Sequence, residues 1–204
     1  MMYSQAELLD LGIDLVNKFC QINGFDKPKI NLYWNARYDR SKPCGWYSSK
    51  TNDITIMPNR CARPNPQWSW PSFTSDRTPY GVIAHEFGHY VEDNLSVDIM
   101  GIRSLVSYCH KYSDEPPITS YAPNNDEWFA EMFKLFLTNP DLLRLIRPKT
   151  YNIFVGKFKL KPAVTTNYVD TLNKFSAPQK VFARADNKIS SAKSFCKVKK
   201  EKLF

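Results

Sequence analysis

His85-Glu86-Phe87-Gly88-His89 decides how this 204-residue chain is read. On a helix, residues four apart lie one turn up on nearly the same face. Both imidazoles can then reach one Zn²⁺, and Glu86, beside the first, can address the water bound to that ion. The chain has three histidines, and two of them sit in this stretch. An H-E-x-x-H match arises by chance in roughly one chain of this length in a hundred. The motif therefore needs a second element to stand on.

A zinc ion that catalyses needs at least three protein ligands and an open position. Candidates for the third ligand are His110, Glu92, Asp93, Glu127 and Glu131. Glu92 and Asp93 share the histidine helix and are poorly placed to close the sphere around the same ion. His110 has no patterned context. The segment Ser120-Tyr121-Ala122-Pro123-Asn124-Asn125-Asp126-Glu127-Trp128-Phe129-Ala130-Glu131 is better. It opens a helix and sets Glu127 and Glu131 four apart on one face, beside a bulky apolar stripe. Two acids on a mostly buried helix are costly unless a positive charge meets them, and zinc would supply it. Each acid also has a plainer reading. Glu127 suits the positive end of a helix dipole, Glu131 can pair with Lys134 or Arg144, and Tyr121 can simply pack.

Around these motifs the pattern alternates between helix and strand. Residues 3–22 read as an amphipathic helix, with Ser4 and Glu7 as a capping box, Leu8, Leu11, Leu15, Phe19 and Ile22 at helical spacing, and Gly24 at the stop. Residues 29–35 alternate like a strand, 45–48 suit a second and 52–57 a third, ended by Pro58. Residues 58–79 form a long loop rich in Pro, Trp and Ser. Its Trp68, Trp70 and Phe73 either line a substrate pocket or pack over the back of the sheet. Helix two starts near Thr78 with Pro79 at its first position and runs to about Leu95. Residues 99–112 read as helical, 114–117 as an acidic, proline-broken turn, and 124–137 as a helix with Trp128, Phe129, Met132, Phe133 and Phe136 buried. Asn139-Pro140 caps a short helix through Arg147. Further helices are expected near 149–158 and 168–184, before a lysine-rich end.

The bulk numbers suit one domain with an appendage. A hydrophobic content of 43% with 14% aromatics is enough for a real core. No run of apolar residues is long enough to span a bilayer, and the first residues lack the regions of a signal peptide. Five cysteines without a Cys-x-x-Cys pair are expected to be reduced, in the cytoplasm. Cys44 and Cys61, flanking two predicted strands, are the one pair to check for a bond. The net charge of +8 is uneven. Residues 1–146 carry 14 basic and 17 acidic side chains, and residues 147–204 carry 14 and 3. A balance of +11 at the C-terminal end suits an anionic partner, whether nucleic acid, an acidic protein surface or a membrane face, or else a solvated basic face; of these, a membrane is not expected. That end lacks aromatic interleaving and zinc-finger spacing, so it offers charge attraction without base recognition.

With both motifs in order, the chain resembles the gluzincin metallopeptidases. The likeness is to the branch in which an H-E-x-G-H helix precedes a Y-x-x-N-x-x-E-x-F-A-E-like helix. This branch includes anthrax lethal factor-type catalytic domains and small, often phage-encoded, zincins. The resemblance covers about residues 45–146. It implies an α+β zincin-like metallopeptidase domain over residues 1–146: an N-terminal helix, a small twisted sheet, the active-site helix, and a helical lower half carrying Glu127. Residues 147–204 would be a basic, partly helical extension. By position, His85, His89 and Glu127 would be the zinc ligands and Glu86 the general base. Glu131 would hydrogen-bond a ligating imidazole, and Tyr121 would stabilise the oxyanion. Strand 52–57 would be the edge strand that binds an extended peptide. The expected function is a zinc-dependent endopeptidase acting on a protein substrate, in the cytoplasm, or in a host cytoplasm or virion if phage-encoded. The competing readings are a zincin fold kept as a virion or complex component without important turnover, and a protease brought to nucleic acid by its basic end.

Overall fold

The computed structural model describes residues 3–35, 37, 42–98, 115–120 and 125–159. Among these it is an α+β structure of three strands and five helices. Helix α1 spans Gln5–Asn23 and begins as the sequence predicts. The Glu7 carboxylate accepts from Ser4 N at 2.7 Å, while Ser4 Oγ accepts from Glu7 N at 3.2 Å. This reciprocal pair satisfies two donors that the helix itself leaves bare. Gly24 ends the helix at φ 72°, a left-handed conformation that costs little only without a Cβ.

Strands β1 (Lys29–Leu32), β2 (Gly45–Ser48) and β3 (Asp53–Ile56) form one mixed sheet in the order β1-β3-β2. β1 runs parallel to β3, with Ile30 opposite Ile54, and β2 runs antiparallel to it, with Tyr47 opposite Ile54. The resemblance placed strand 52–57 at the sheet edge; the structure corrects this. A tight turn folds 45–48 back onto one side of β3, and β1 takes the other, so β3 is central and β2 is an edge. The buried faces of Ile54 and Ile56 then meet helix α2 (Pro79–Asp98).

Helices α3 (Asn125–Thr138), α4 (Pro140–Ile146) and α5 (Pro148–Lys157) complete the core. Asn139 Oδ1 accepts from Leu142 N at 3.1 Å and caps α4, as Asn-Pro at a helix start predicts. Glu115 caps α5 by accepting from Lys149 N, Thr150 N and Thr150 Oγ1. Phe133 of α3 sits at the centre of the aromatic core. Its ring centroid lies 5.3–6.2 Å from those of Phe19, Phe87, Phe129, Phe136, Phe154 and Phe158. Rings at such distances interact favourably beyond the area they bury. Phe154 and Phe158 belong to the same core as α1, so the charge change at residue 147 does not coincide with a packing boundary among the described residues. The helices expected at 99–112 and 168–184 lie outside the described residues. No helix among those described is long and apolar enough to cross a membrane.

Cys44 and Cys61 are bonded to each other, with Cα atoms 5.0 Å apart, while Cys20 is free and buried. The expectation that all cysteines are reduced is corrected at this pair. The start of β2 and the turn after β3 meet across the sheet, which sequence distance hides. Closing a loop of this length, with a separation of 17, stabilises a fold by about 3 kcal/mol. Reductant, or Cys61→Ser, is expected to lower the unfolding free energy by about that amount in a urea titration. An unmoved midpoint would mean that the bond constrains nothing.

Candidate metal centre

Helix α2 carries three of the predicted residues because its start is fixed firmly. The buried Asp76 carboxylate accepts from Thr78 N at 3.0 Å, Thr78 Oγ1 at 2.6 Å and Ser72 N at 2.9 Å. This clamps the end of the loop onto the first turn, with Pro79 pre-set for the helix. Val91, Phe87, Ala84, Ile83 and Tyr80 turn into the core. His85, Glu86 and His89 are thereby presented from the same helix at 7%, 9% and partial exposure.

Gly88 lets α3 come close. A Cβ at Gly88 would stand 2.9 Å from Ala130 Cα and 3.3 Å from its Cβ, nearer than atoms ordinarily pack. The contact brings Glu127, three residues before Ala130, over the two histidines. Gly88→Ala would gain about 1 kcal/mol of helix propensity but lose about 1–3 kcal/mol to overpacking. The expected result is a net loss of stability together with weaker metal binding, read by denaturation and metal titration on one sample. Unchanged metal affinity would show that Glu127 does not depend on this approach.

His85 Nε2 lies 3.1 Å from Glu127 Oε2, and His89 Nε2 lies 3.7 Å from Glu127 Oε1. Ligand atoms of His85, His89 and Glu127 all fall within 4.8 Å of one another, so this buried to half-buried group could hold a metal ion. Tetrahedral bonds of about 2.0–2.1 Å to nitrogen and oxygen would separate donor atoms by about 3.3 Å. The two separations lie on either side of that value, so the residues fit a metal ion. The donor set, two imidazoles and a carboxylate, suits zinc among other divalent ions.

The same residues shift one another's proton affinities. Burial opposes charge on His85, but its bonds to Glu127 and Glu131 override it and raise the imidazole to about 9. Burial, followed by the charge of His85, drives His89 down to about 4. Glu127 is held below the usual carboxylate range, chiefly by its hydrogen bond from His85.

Two carboxylates outside this ligand group have distinct settings. Glu131 Oε1 accepts from His85 Nδ1 at 2.9 Å and from Lys134 Nζ at 2.8 Å. Thr119 Oγ1 reaches Glu131 Oε2 at 3.3 Å. Burial opposes ionisation of Glu131, but the bond from His85 and the charge of Lys134 prevail and hold it at about 2. The bond to Nδ1 leaves Nε2 as the metal-facing nitrogen. Glu86 Oε2 accepts from Tyr47 N of edge strand β2 at 3.0 Å. Burial pushes the Glu86 carboxyl up, while His85 and the Tyr47 N–H draw it down.

Glu92 and Asp93 do not join the ligand group, as their place one turn beyond His89 predicts. Tyr121 and His110 lie outside the described residues. Trp68 lines a surface recess of about 550 Å³ with Gln5, Asn59, Cys61, Arg63, Pro64 and Asn65. That recess shares no residue with the metal group. Two participants were not foreseen in these roles. The pairing of Lys134 with Glu131 is one the sequence offers, but as a surface pair, and the structure buries it. The Tyr47 N–H left no signal, because a backbone donor at a sheet edge has no sequence signature.

Comparison with known proteins gives no match to a family model, to a curated protein or to a solved structure.

Proposed function

We propose that this chain is a zinc-dependent endopeptidase of zincin-like fold, with His85, His89 and Glu127 as ligands and Glu86 as general base. The observation that carries the reading is Glu86. A purely structural metal site needs no extra carboxylate. Here a buried one stands next to a ligand in sequence, outside the ligand set, and oriented by a backbone N–H. The mixed sheet laid on the H-E-x-x-H helix, with a third ligand from a later helix, supports the zincin-like part.

When bound, zinc supplies Lewis acidity, which polarises a carbonyl and brings the pKa of water toward neutrality. The chain does the remaining work. With Oε2 accepting from Tyr47, Glu86 Oε1 is left to take the proton of the attacking water and return it to the leaving amine. Raising a carboxyl by burial brings its proton affinity nearer that task. Tyr121 is proposed as the donor to the developing oxyanion, on the resemblance alone. Glu131 keeps His85 in one tautomer. The basic residues of 147–204 would draw in an acidic protein surface or a nucleic acid.

The test uses full-length protein loaded with zinc and a peptide mixture from a digested proteome, with new termini read by mass spectrometry. Cleavage that stops when a chelator removes the metal and returns with zinc is the expected result. A loaded protein that generates no new termini would contradict the peptidase reading.

A further inference from the structure

We propose that Lys134 is a positioning residue of the metal centre, fixing the Glu131 carboxylate on His85 Nδ1 and tying it to the loop before α2. This rests on the reading of His85, His89 and Glu127 as metal ligands. Lys134 is 3% exposed, and its neighbours Met132, Phe133, Leu135, Phe136 and Leu137 are all buried apolar residues. An ammonium in that company is expensive unless partnered. A leucine or methionine would continue the stripe, but it would leave the buried Glu131 carboxylate without its cation. The lysine therefore answers to a buried partner on its own helix and not to the apolar stripe around it.

That partner, Glu131, is shared with His85. Lys134 Nζ lies 2.8 Å from Glu131 Oε1, and that same oxygen lies 2.9 Å from His85 Nδ1. One carboxylate oxygen thus receives a donor from a metal ligand and a donor from a fixed cation. A spacing of three on α3 puts Glu131 and Lys134 on one face, and both are nearly out of solvent, so water does not loosen the pair. With Oε1 pinned by Lys134 and Oε2 approached by Thr119, the carboxylate has little freedom to rotate away from His85.

Lys134 Nζ also donates to Thr74 O at 3.3 Å. Thr74 lies in the loop whose two sides Asp76 joins through Ser72 N and Thr78 N. Asn139 Nδ2 reaches the same loop at Ser72 O, at 3.1 Å. The loop is thus seated on α3 and the start of α4, and Lys134 is the one of these contacts that also touches the carboxylate behind His85. A rigid support of this kind is what keeps ligand geometry tight.

The test is a double-mutant cycle on the full chain, read as Zn²⁺ affinity by competition with a chromophoric chelator. The variants are Lys134→Met, Glu131→Gln and the two combined. Losing a group that supports a ligand weakens metal binding by about 10–100-fold. Lys134→Met is expected to cost about 10-fold, with a shift in the visible spectrum of the Co²⁺-loaded protein. If Lys134 acts through Glu131, the combined variant binds no more weakly than Glu131→Gln alone. Wild-type affinity in a folded Lys134→Met would overturn the proposal, and so would fully additive losses. Should Lys134→Met not fold, Lys134→Gln, which keeps a donor and drops the charge, takes its place in the cycle. The wild-type titration comes first: failure to bind zinc there would overturn the metal-centre reading, separately from the role of Lys134.

Discussion

Glu86→Gln is expected to retain metal and lose peptide hydrolysis by about 10²–10⁴-fold, the usual contribution of a positioned general base. The glutamine amide matches the carboxylate in shape, and its oxygen can still accept from Tyr47 N, which now meets Glu86 Oε2 at 3.0 Å. The fold and the position of β2 should therefore persist. Proton uptake is lost, because an amide oxygen is far too weak a base at neutral pH. Since Glu86 is outside the ligand group, zinc affinity should stay near the wild-type value. Measuring kcat/KM on a cleaved peptide beside metal content separates the two effects. Undiminished hydrolysis by the variant would remove Glu86 from the chemistry.

Glu127→Ala is expected to lower zinc affinity by more than about 100-fold, beyond the range for groups that only support ligands. Glu127 is where the two histidines converge, through separate oxygens at 3.1 and 3.7 Å. Two imidazoles remain after its removal, one short of the three protein ligands a catalytic zinc site needs. The fold should survive, because Glu127 is only half-buried and the core face of α3 is aromatic. Affinity measured by chelator competition, alongside thermal unfolding, would show a large change in the first and a small one in the second.

Much of the fold is legible where local chemistry decides it. Ser4 with Glu7, Pro79, and Asn139 with Pro140 are start signals that act within one helical turn, and all three mark helix starts in the structure. The strands at 29–32, 45–48 and 53–56 follow from alternation and flanking turns. Strand order is different. Whether β3 lies at an edge depends on which distant segment pairs with each side, and the pattern of Ile54 and Ile56 is the same either way. Cys44 and Cys61 were readable as the one candidate pair because they flank two strands, but that they bond depends on how β2 and β3 pair. At the site, the spacing of His85 and His89 and the pairing of Glu127 with Glu131 were readable, because one helical face fixes each pair. That Lys134 would be buried was not, since a lysine next to a glutamate on a helix is most often a solvated pair. Tyr121 lies outside the described residues, so its place beside the metal group rests on the sequence alone.

The most direct test of the central claim is the metal content of purified wild-type protein and Glu127→Ala, by elemental analysis side by side. The account predicts about one zinc per chain in the wild type, as a single three-ligand site requires, and its loss in the variant. A wild-type protein that holds no metal, even after reconstitution with zinc, would contradict it.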